Sequence, residues 1–181
     1  DAKDGTKRLK VISAGDAAVG KSCLIKRFCE GRFISRYVCT IGVDFGVKPV
    51  LVEGKPVRVN FWDLSGHPSF GEARVEFYRD TEAVLLVFDL SEEESFRGLE
   101  TWLEEMKSNG LPKSAVIVLI GNKADKARRA VDEREARAFA SDHKLEYFET
   151  SAENGANVEK AFHALFSRAM ASSMRASGGR G

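Results

Sequence analysis

The sequence predicts an α/β fold: a six-stranded, mostly parallel sheet with one antiparallel edge strand and about five helices. Three observations carry this expectation. Apolar runs of strand length alternate with segments of helical periodicity. A glycine loop joins the first strand to the first helix, and the turn Glu53-Gly54-Lys55 separates two runs placed to pair as a hairpin. At 181 residues, the chain makes a single domain that buries roughly 70% of its unfolded surface around one core.

The elements follow in order. Residues 1–7 read as a flexible N-terminal tail, Leu9 to Ala14 as a short apolar strand, and Cys23 to Cys29 as the helix it feeds. An irregular stretch, Gly31 to Thr40, leads into the hairpin of Val43 to Val52 and Pro56 to Asp63. Pro49 has no N–H to give a ladder, which places the first hairpin strand at a sheet edge. Ala83 to Asp89 and Ala115 to Gly121 are short apolar runs suited to strands covered on both faces, and Lys144 to Thr150 is a weaker sixth strand. Phe96, Leu99, Leu103 and Met106 recur at helical spacing after a Ser91-x-x-Glu94 capping pattern; Val158, Ala161, Phe162 and Leu165 do so after Asn157. Residues 171–181, rich in Ser, Gly and Arg, read as a flexible C-terminal tail.

Chemistry concentrates where strands end, the place at which open α/β sheets bind ligands. Gly15 to Ser22 fits the phosphate-loop pattern G-x-x-x-x-G-K-S, and its position between a strand and a helix gives the pattern mechanical meaning. Backbone N–H groups of Ala18, Val19, Gly20 and Cys23 are placed to wrap a phosphate chain, the helix dipole favours its charge, Lys21 reaches the β/γ oxygens, and the Ser22 hydroxyl suits Mg²⁺. The plainer reading is a glycine-rich turn with a chance Lys-Ser pair. Asp63 ends a strand and Gly66 follows: the carboxylate suits Mg²⁺ held through water, and a glycine can turn its N–H toward a terminal phosphate. A strand-terminal Asp in a turn is the bland alternative. Gly121 to Asp125 comes next, with Asn122 and Lys123 inside it. A carboxylate placed like Asp125 accepts from guanine N1–H and its 2-amino group, which adenine lacks, so a wrong base would lose on the order of 10⁴-fold. Glu149 to Glu153 adds a loop whose N–H groups at Ser151, Ala152 and Glu153 suit the guanine oxygen.

The formal charge of +1 excludes a global bias toward nucleic acid or anionic membrane. Cys23, Cys29 and Cys39 are odd in number and lack metal-ligand spacing, which fits a reducing compartment. No apolar run approaches the ~20 residues that span a bilayer, and no signal-peptide pattern is visible. A soluble, cytoplasmic monomer is expected.

With these four clusters in this order, residues 8–170 resemble the Ras-like small GTPases, a P-loop NTPase small G domain, and within them the Rab branch. Thr40 to Phe45 looks like a Rab switch I, and Phe61-Trp62-Asp63 resembles the strand leading into switch II. The closer likeness is to the RJL group, Rab-like GTPases some of which carry a J domain, because Gly66-His67-Pro68 stands where relatives have Gly-Gln-Glu, and Glu149-Thr150-Ser151-Ala152 agrees. No His-Pro-Asp signature of a J domain occurs. The resemblance implies GTP/GDP binding with Mg²⁺ held by Ser22, Thr40 and Asp63. It further implies Phe33 packed on the guanine, Tyr37 beside the phosphates, the Gly66 N–H on the γ-phosphate, and a base pocket of Asn122, Lys123, Asp125, Ser151 and Ala152. Lys21, Gly66 and His67 would carry catalysis. Effectors would dock through residues 34–45 and 64–80, with exchange and activating proteins as further partners. Cilium association is implied by the family alone. Rab chains end in prenylated cysteines, whereas Ser172 to Gly181 contains none, so no lipid anchor is expected.

The departures bear on turnover. His67 replaces the water-orienting Gln, and imidazole lacks both the amide's paired donor and acceptor and its reach. Pro68 pushes His67 toward an extended conformation and out of the switch II helix. Ala17 puts a methyl group where some relatives have glycine. Slow hydrolysis is expected, and a solvated loop histidine with no catalytic share is the alternative role for His67. Two functions therefore stand: a slow guanine-nucleotide switch, and a GTP-locked scaffold that recruits effectors. An adenine-specific kinase conflicts with Asp125. His143 and His163 read as structural.

Overall fold

A computed structural model of the protein describes residues 5–31 and 42–178; Phe33, Tyr37, Cys39 and Thr40 lie outside the described residues. The strands are β1 (Lys7–Ala14), β2 (Val43–Val52), β3 (Lys55–Leu64), β4 (Ala83–Asp89), β5 (Val116–Asn122) and β6 (Glu146–Glu149). They form one sheet in the order β2-β3-β1-β4-β5-β6. Only β2 and β3 pair antiparallel, with Val52 opposite Lys55, and the other neighbours run parallel. Glu53 and Gly54 both take positive φ (51° and 78°), the two-residue turn whose twist matches a hairpin. β2 is the edge strand that Pro49 requires.

The helices are α1 (Lys21–Glu30), α2 (Gly71–Arg74), α3 (Glu93–Arg97), α4 (Leu99–Ser108), α5 (Glu133–Asp142) and α6 (Val158–Gly178). α3 and α4 form one rod through Gly98, whose N–H donates to the Glu94 carbonyl while its own carbonyl accepts from Trp102. Every residue of β4 is buried, and its side chains divide between the two faces with a period of two. Leu85 and Val87 face a core built on α1 and α6, where Phe28 stacks on Phe162 at 4.5 Å. Val84, Leu86 and Phe88 face a second core under α3 to α5, with Leu99, Met106 and Ala136.

Three expectations change. Ser91 does not cap α3: its N–H and hydroxyl both go to Asp89 Oδ1, at 2.8 and 2.6 Å, because the carboxylate at the end of β4 lies within reach of the turn. The helix instead begins after Glu92, whose carbonyl accepts from Ser95 Oγ at 2.7 Å. The C-terminal tail is helical as far as Gly178 rather than irregular from Ala171. Long-range hydrogen bonds hold it there: Ser172 Oγ donates to the Ser114 carbonyl and Ser173 Oγ to Glu82, both at 2.9 Å. At the other end, Lys7 belongs to β1 and pairs with Glu82 at 2.7 Å.

Candidate functional site

β1 delivers its chain to Gly15 at the C-terminal edge of the sheet. There φ is 136°, and a Cβ would lie 2.1 Å from the Val87 carbonyl oxygen, so the loop passes β4 at a distance only glycine permits. The loop then turns left-handed at Ala18 (φ 64°) and Gly20 (φ 99°) and enters α1 with bare backbone at the positive end of the helix dipole. Lys21 is buried, and its ammonium donates to the Gly15 and Asp16 carbonyls at 2.8 and 2.7 Å. Val19 packs into the core, fixing the loop from beneath. Cys23 lies in the first turn of α1; it and Cys29 are half-buried, and burial raises both thiol pKa values, as for inert packing side chains.

Parallel pairing of β1 with β3 sets Ser13 beside Asp63. Asp63 is buried; Oδ1 accepts from Ser13 Oγ at 2.8 Å, and Oδ2 accepts from the Ser22 hydroxyl. A hydroxyl and a carboxylate meeting beside the phosphate loop make an oxygen donor set of the kind Mg²⁺ prefers. The chain then turns over the loop at Gly66. A Cβ on Gly66 would lie 2.2 Å from the Gly15 carbonyl oxygen and 2.5 Å from the Ala17 nitrogen, so the two backbones touch. His67 follows in extended conformation (φ −70°, ψ 136°), as Pro68 requires, and caps the short turn Pro68–Phe70. Its Nδ1 accepts from the Ser69 N–H at 3.2 Å and lies 2.7 Å from Ser69 Oγ, so the ring is tied to its own turn.

The second half of the site comes from the ends of β5 and β6. Asn122 is buried; Nδ2 donates to the Val19 carbonyl at 3.0 Å, and Oδ1 accepts from Thr150 Oγ1 and the Ala152 N–H. Lys123, at positive φ (67°), lays its ammonium along the phosphate loop, 2.7 Å from the Ala18 carbonyl and 2.8 Å from Asp89. Ser151 Oγ donates to Asp125 Oδ1 at 2.6 Å. Glu153 hydrogen-bonds Asp125, and that bond with the neighbouring charge raises the Glu153 carboxyl pKa. Asp125 is held low despite partial burial, chiefly by the same bond and by Ser151. The lowered pKa favours Asp125 as a carboxylate acceptor.

The structure thus brings Ala18, Val19, Gly20, Lys21, Ser22, Cys23, Asp63, Gly66 and His67 into one half, and Asn122, Lys123, Asp125, Ser151, Ala152 and Glu153 into the other. His143 pairs with Glu100 at 2.9 Å and His163 with Glu159 at 3.3 Å, both away from this edge. Sequence reasoning passed over Arg27, which donates to the Ala152 carbonyl at 2.8 Å and to that of Glu153. It also passed over the contact of Asp16 with Trp102 Nε1 at 2.8 Å. No local spacing signals either pair.

Residues 10–171 match the Ras family. The chain belongs to the Ras family of small GTPases. It is similar to the DnaJ homolog subfamily C member 27 of Rattus norvegicus, 46% identical over 164 residues that cover 88% of this chain and 60% of that protein. The Danio rerio protein of the same name is 47% identical over 165 residues, with the same coverage. DnaJ homolog subfamily C member 27-B of Xenopus laevis is 45% identical over 175 residues, 91% of this chain and 63% of that one. The chain thus spans about 60% of the length of these relatives. DnaJ in their names accords with the Rab-like RJL group to which His67 and Pro68 point.

Within this Ras-family domain an aromatic ledge crosses the hairpin: Phe45, half exposed, lies 4.4 Å from Trp62, which lies 5.1 Å from Phe77. Among the described residues no helix is long and apolar enough to cross a membrane.

Proposed function

We propose that the chain is a guanine-nucleotide switch that binds GTP and GDP with Mg²⁺ and hydrolyses GTP slowly. The observation that carries the reading is the Asn122 bridge to Val19, which sets the Asp125 loop and the phosphate loop side by side on one edge of the sheet. In this reading residues 8–170 are the switch domain. Asp125, ionised and oriented by Ser151, accepts from guanine N1–H and the 2-amino group; Ala152 and Glu153 offer backbone N–H groups to the guanine oxygen. The N–H groups from Ala18 to Cys23 hold the phosphate chain. Lys21 exchanges its two loop carbonyls for phosphate oxygens, a charge-assisted pairing that strengthens both bonds.

Ser22 and Asp63, with Thr40, would hold Mg²⁺, which neutralises charge developing between the β- and γ-phosphates. Phe33 and Tyr37 would complete the pocket. Gly66, whose backbone touches the phosphate loop, would give its N–H to the γ-phosphate. His67 sits where a water-orienting side chain is needed, yet its ring is tied to Ser69, which supports slow turnover. That same tether favours the second reading, a GTP-locked scaffold. Effectors would dock through residues 34–45 and 64–80, where Phe45 and Phe77 present apolar surface.

Calorimetry with GTP, GDP and ATP tests the proposal. Strong discrimination against ATP is expected, and ATP binding within tenfold of GTP would overturn the base-pocket assignment. Asp125→Asn should weaken GTP and admit xanthine nucleotides, whose added oxygen accepts from the amide.

A further inference from the structure

Arg74 is the only buried arginine among the described residues, with 7% of its surface exposed. A guanidinium is buried at a net cost unless its donors are matched. Here Nε and Nη2 fork onto the two oxygens of Glu105 at 2.7 and 2.8 Å, and Tyr78 donates to the same carboxylate. The charge is thereby satisfied without involving the candidate site. Yet the remaining nitrogen, Nη1, turns to that site and donates to the carbonyls of His67 at 3.1 Å and Ser65 at 3.4 Å.

Those carbonyls flank Gly66. The Ser65 carbonyl and the Gly66 N–H belong to one planar trans peptide and point in opposite directions, so whatever anchors the oxygen aims the N–H. The guanidinium plane also lies on the Trp102 ring, 4.4 Å from its centroid, and Trp102 Nε1 donates to Asp16 Oδ1 of the phosphate loop at 2.8 Å. A closed circuit results: Asp16, Trp102, Arg74, the Ser65–Gly66 peptide, and back to the loop where Gly66 touches Gly15.

We propose that Arg74 is a positioning residue that fixes the Gly66 N–H for the terminal phosphate and refers its position to the phosphate loop through Trp102 and Asp16. The inference rests on the nucleotide-switch reading. It assigns Arg74 a share in telling GTP from GDP, since only the former carries the phosphate that Gly66 would meet. Lysine cannot replace it: an ammonium has no planar fork to hold Glu105 and two carbonyls together or to stack on indole.

Wild type, Arg74→Gln and Arg74→Lys would be titrated with GDP and with a non-hydrolysable GTP analogue in Mg²⁺. Loss of one charge-assisted hydrogen bond predicts ~10-fold weaker analogue binding in both variants, with GDP affinity within about twofold of wild type. Equal losses for both nucleotides, or a Lys variant with the wild-type ratio, would overturn the assignment and leave Arg74 a packing residue. Should Arg74→Gln fail to fold, Trp102→Phe decides. It keeps a ring under the guanidinium and removes only the donor to Asp16, so the analogue-to-GDP preference should fall by about threefold, and an unchanged ratio counts against the circuit. A wild type that binds neither nucleotide would instead remove the switch reading, and the role of Arg74 with it.

Discussion

Asn122 and Gly20 face each other so closely that a Cβ on the glycine would lie 2.3 Å from Asn122 Nδ2. The amide takes up that space to reach the Val19 carbonyl at 3.0 Å, while its oxygen serves Thr150 and Ala152. One side chain therefore joins three loops that come from residues far apart in the chain.

Asn122→Ala removes all three bonds and leaves buried backbone groups unpaired. A stability loss of about 1–3 kcal/mol is expected from urea unfolding. Because both halves of the site shift, GTP and GDP affinity should fall together. Unchanged affinity in a folded variant would show that the loops hold their places without the bridge.

Stability should fall at both pH extremes for identifiable reasons. Burial alone would raise the Glu105 and Glu149 carboxyls, yet hydrogen bonds from Arg74 and Tyr78, and from Arg129 and Tyr147, hold them below their usual range. Asp89 is likewise held low, against burial, by Lys123 and Ser91. A folded pKa below the unfolded one contributes stability that is present above the unfolded value and is lost as pH falls through the folded one. Tyr78 and Tyr147 have the opposite sign. Burial and their carboxylate partners raise both pKa values, so stability falls as pH climbs past the ordinary tyrosine value of 10.0. The urea midpoint plotted against pH should show a plateau between these limbs, and Glu105→Gln should shrink the acid limb while lowering the plateau.

The elements that position the site were legible because their signals are local. Gly15 to Ser22, the Glu53-Gly54 turn and the apolar run Ala83 to Phe88 of β4 each declare themselves within a few residues, and Pro49 alone fixes β2 at an edge. The extension of α6 to Gly178 was not legible, since Ser172 and Ser173 are poor helix formers and their partners, Ser114 and Glu82, lie far back in the chain. Ser91 misled for a related reason. The capping pattern is real, but Asp89 competes for the same donors at closer range. Arg27, Trp102 and Arg74 were invisible as site residues because each acts through a tertiary contact that no spacing encodes.

Ser22→Asn should weaken GTP more than GDP. The Ser22 hydroxyl meets Asp63 beside the phosphate loop, and asparagine's bulk would displace that carboxylate from the oxygen set proposed for Mg²⁺. Only the triphosphate also draws on Thr40 and Gly66 in the proposed switch, so its loss should be the larger one in paired titrations. Equal losses would count against that division of roles.

His67→Gln should change little by itself. The backbone at residue 67 is extended because Pro68 follows it, and Arg74 holds its carbonyl at 3.1 Å, so a glutamine there would inherit the same direction. Single-turnover hydrolysis is expected at or below roughly 3–5 × 10⁻⁴ s⁻¹, the intrinsic rate of Ras, in wild type and single variant alike. Adding Pro68→Glu frees the backbone and removes the ring that fixes the turn, and the double variant should gain several-fold. A single variant that matched the double would place the whole defect in the imidazole. If wild type outran both variants, His67 would be a participating base rather than a poor substitute. In either of the slow cases an arginine supplied by a partner would meet the missing charge but not the missing water contact, so its acceleration should stay below the ~10⁵-fold that Ras gains from its activator.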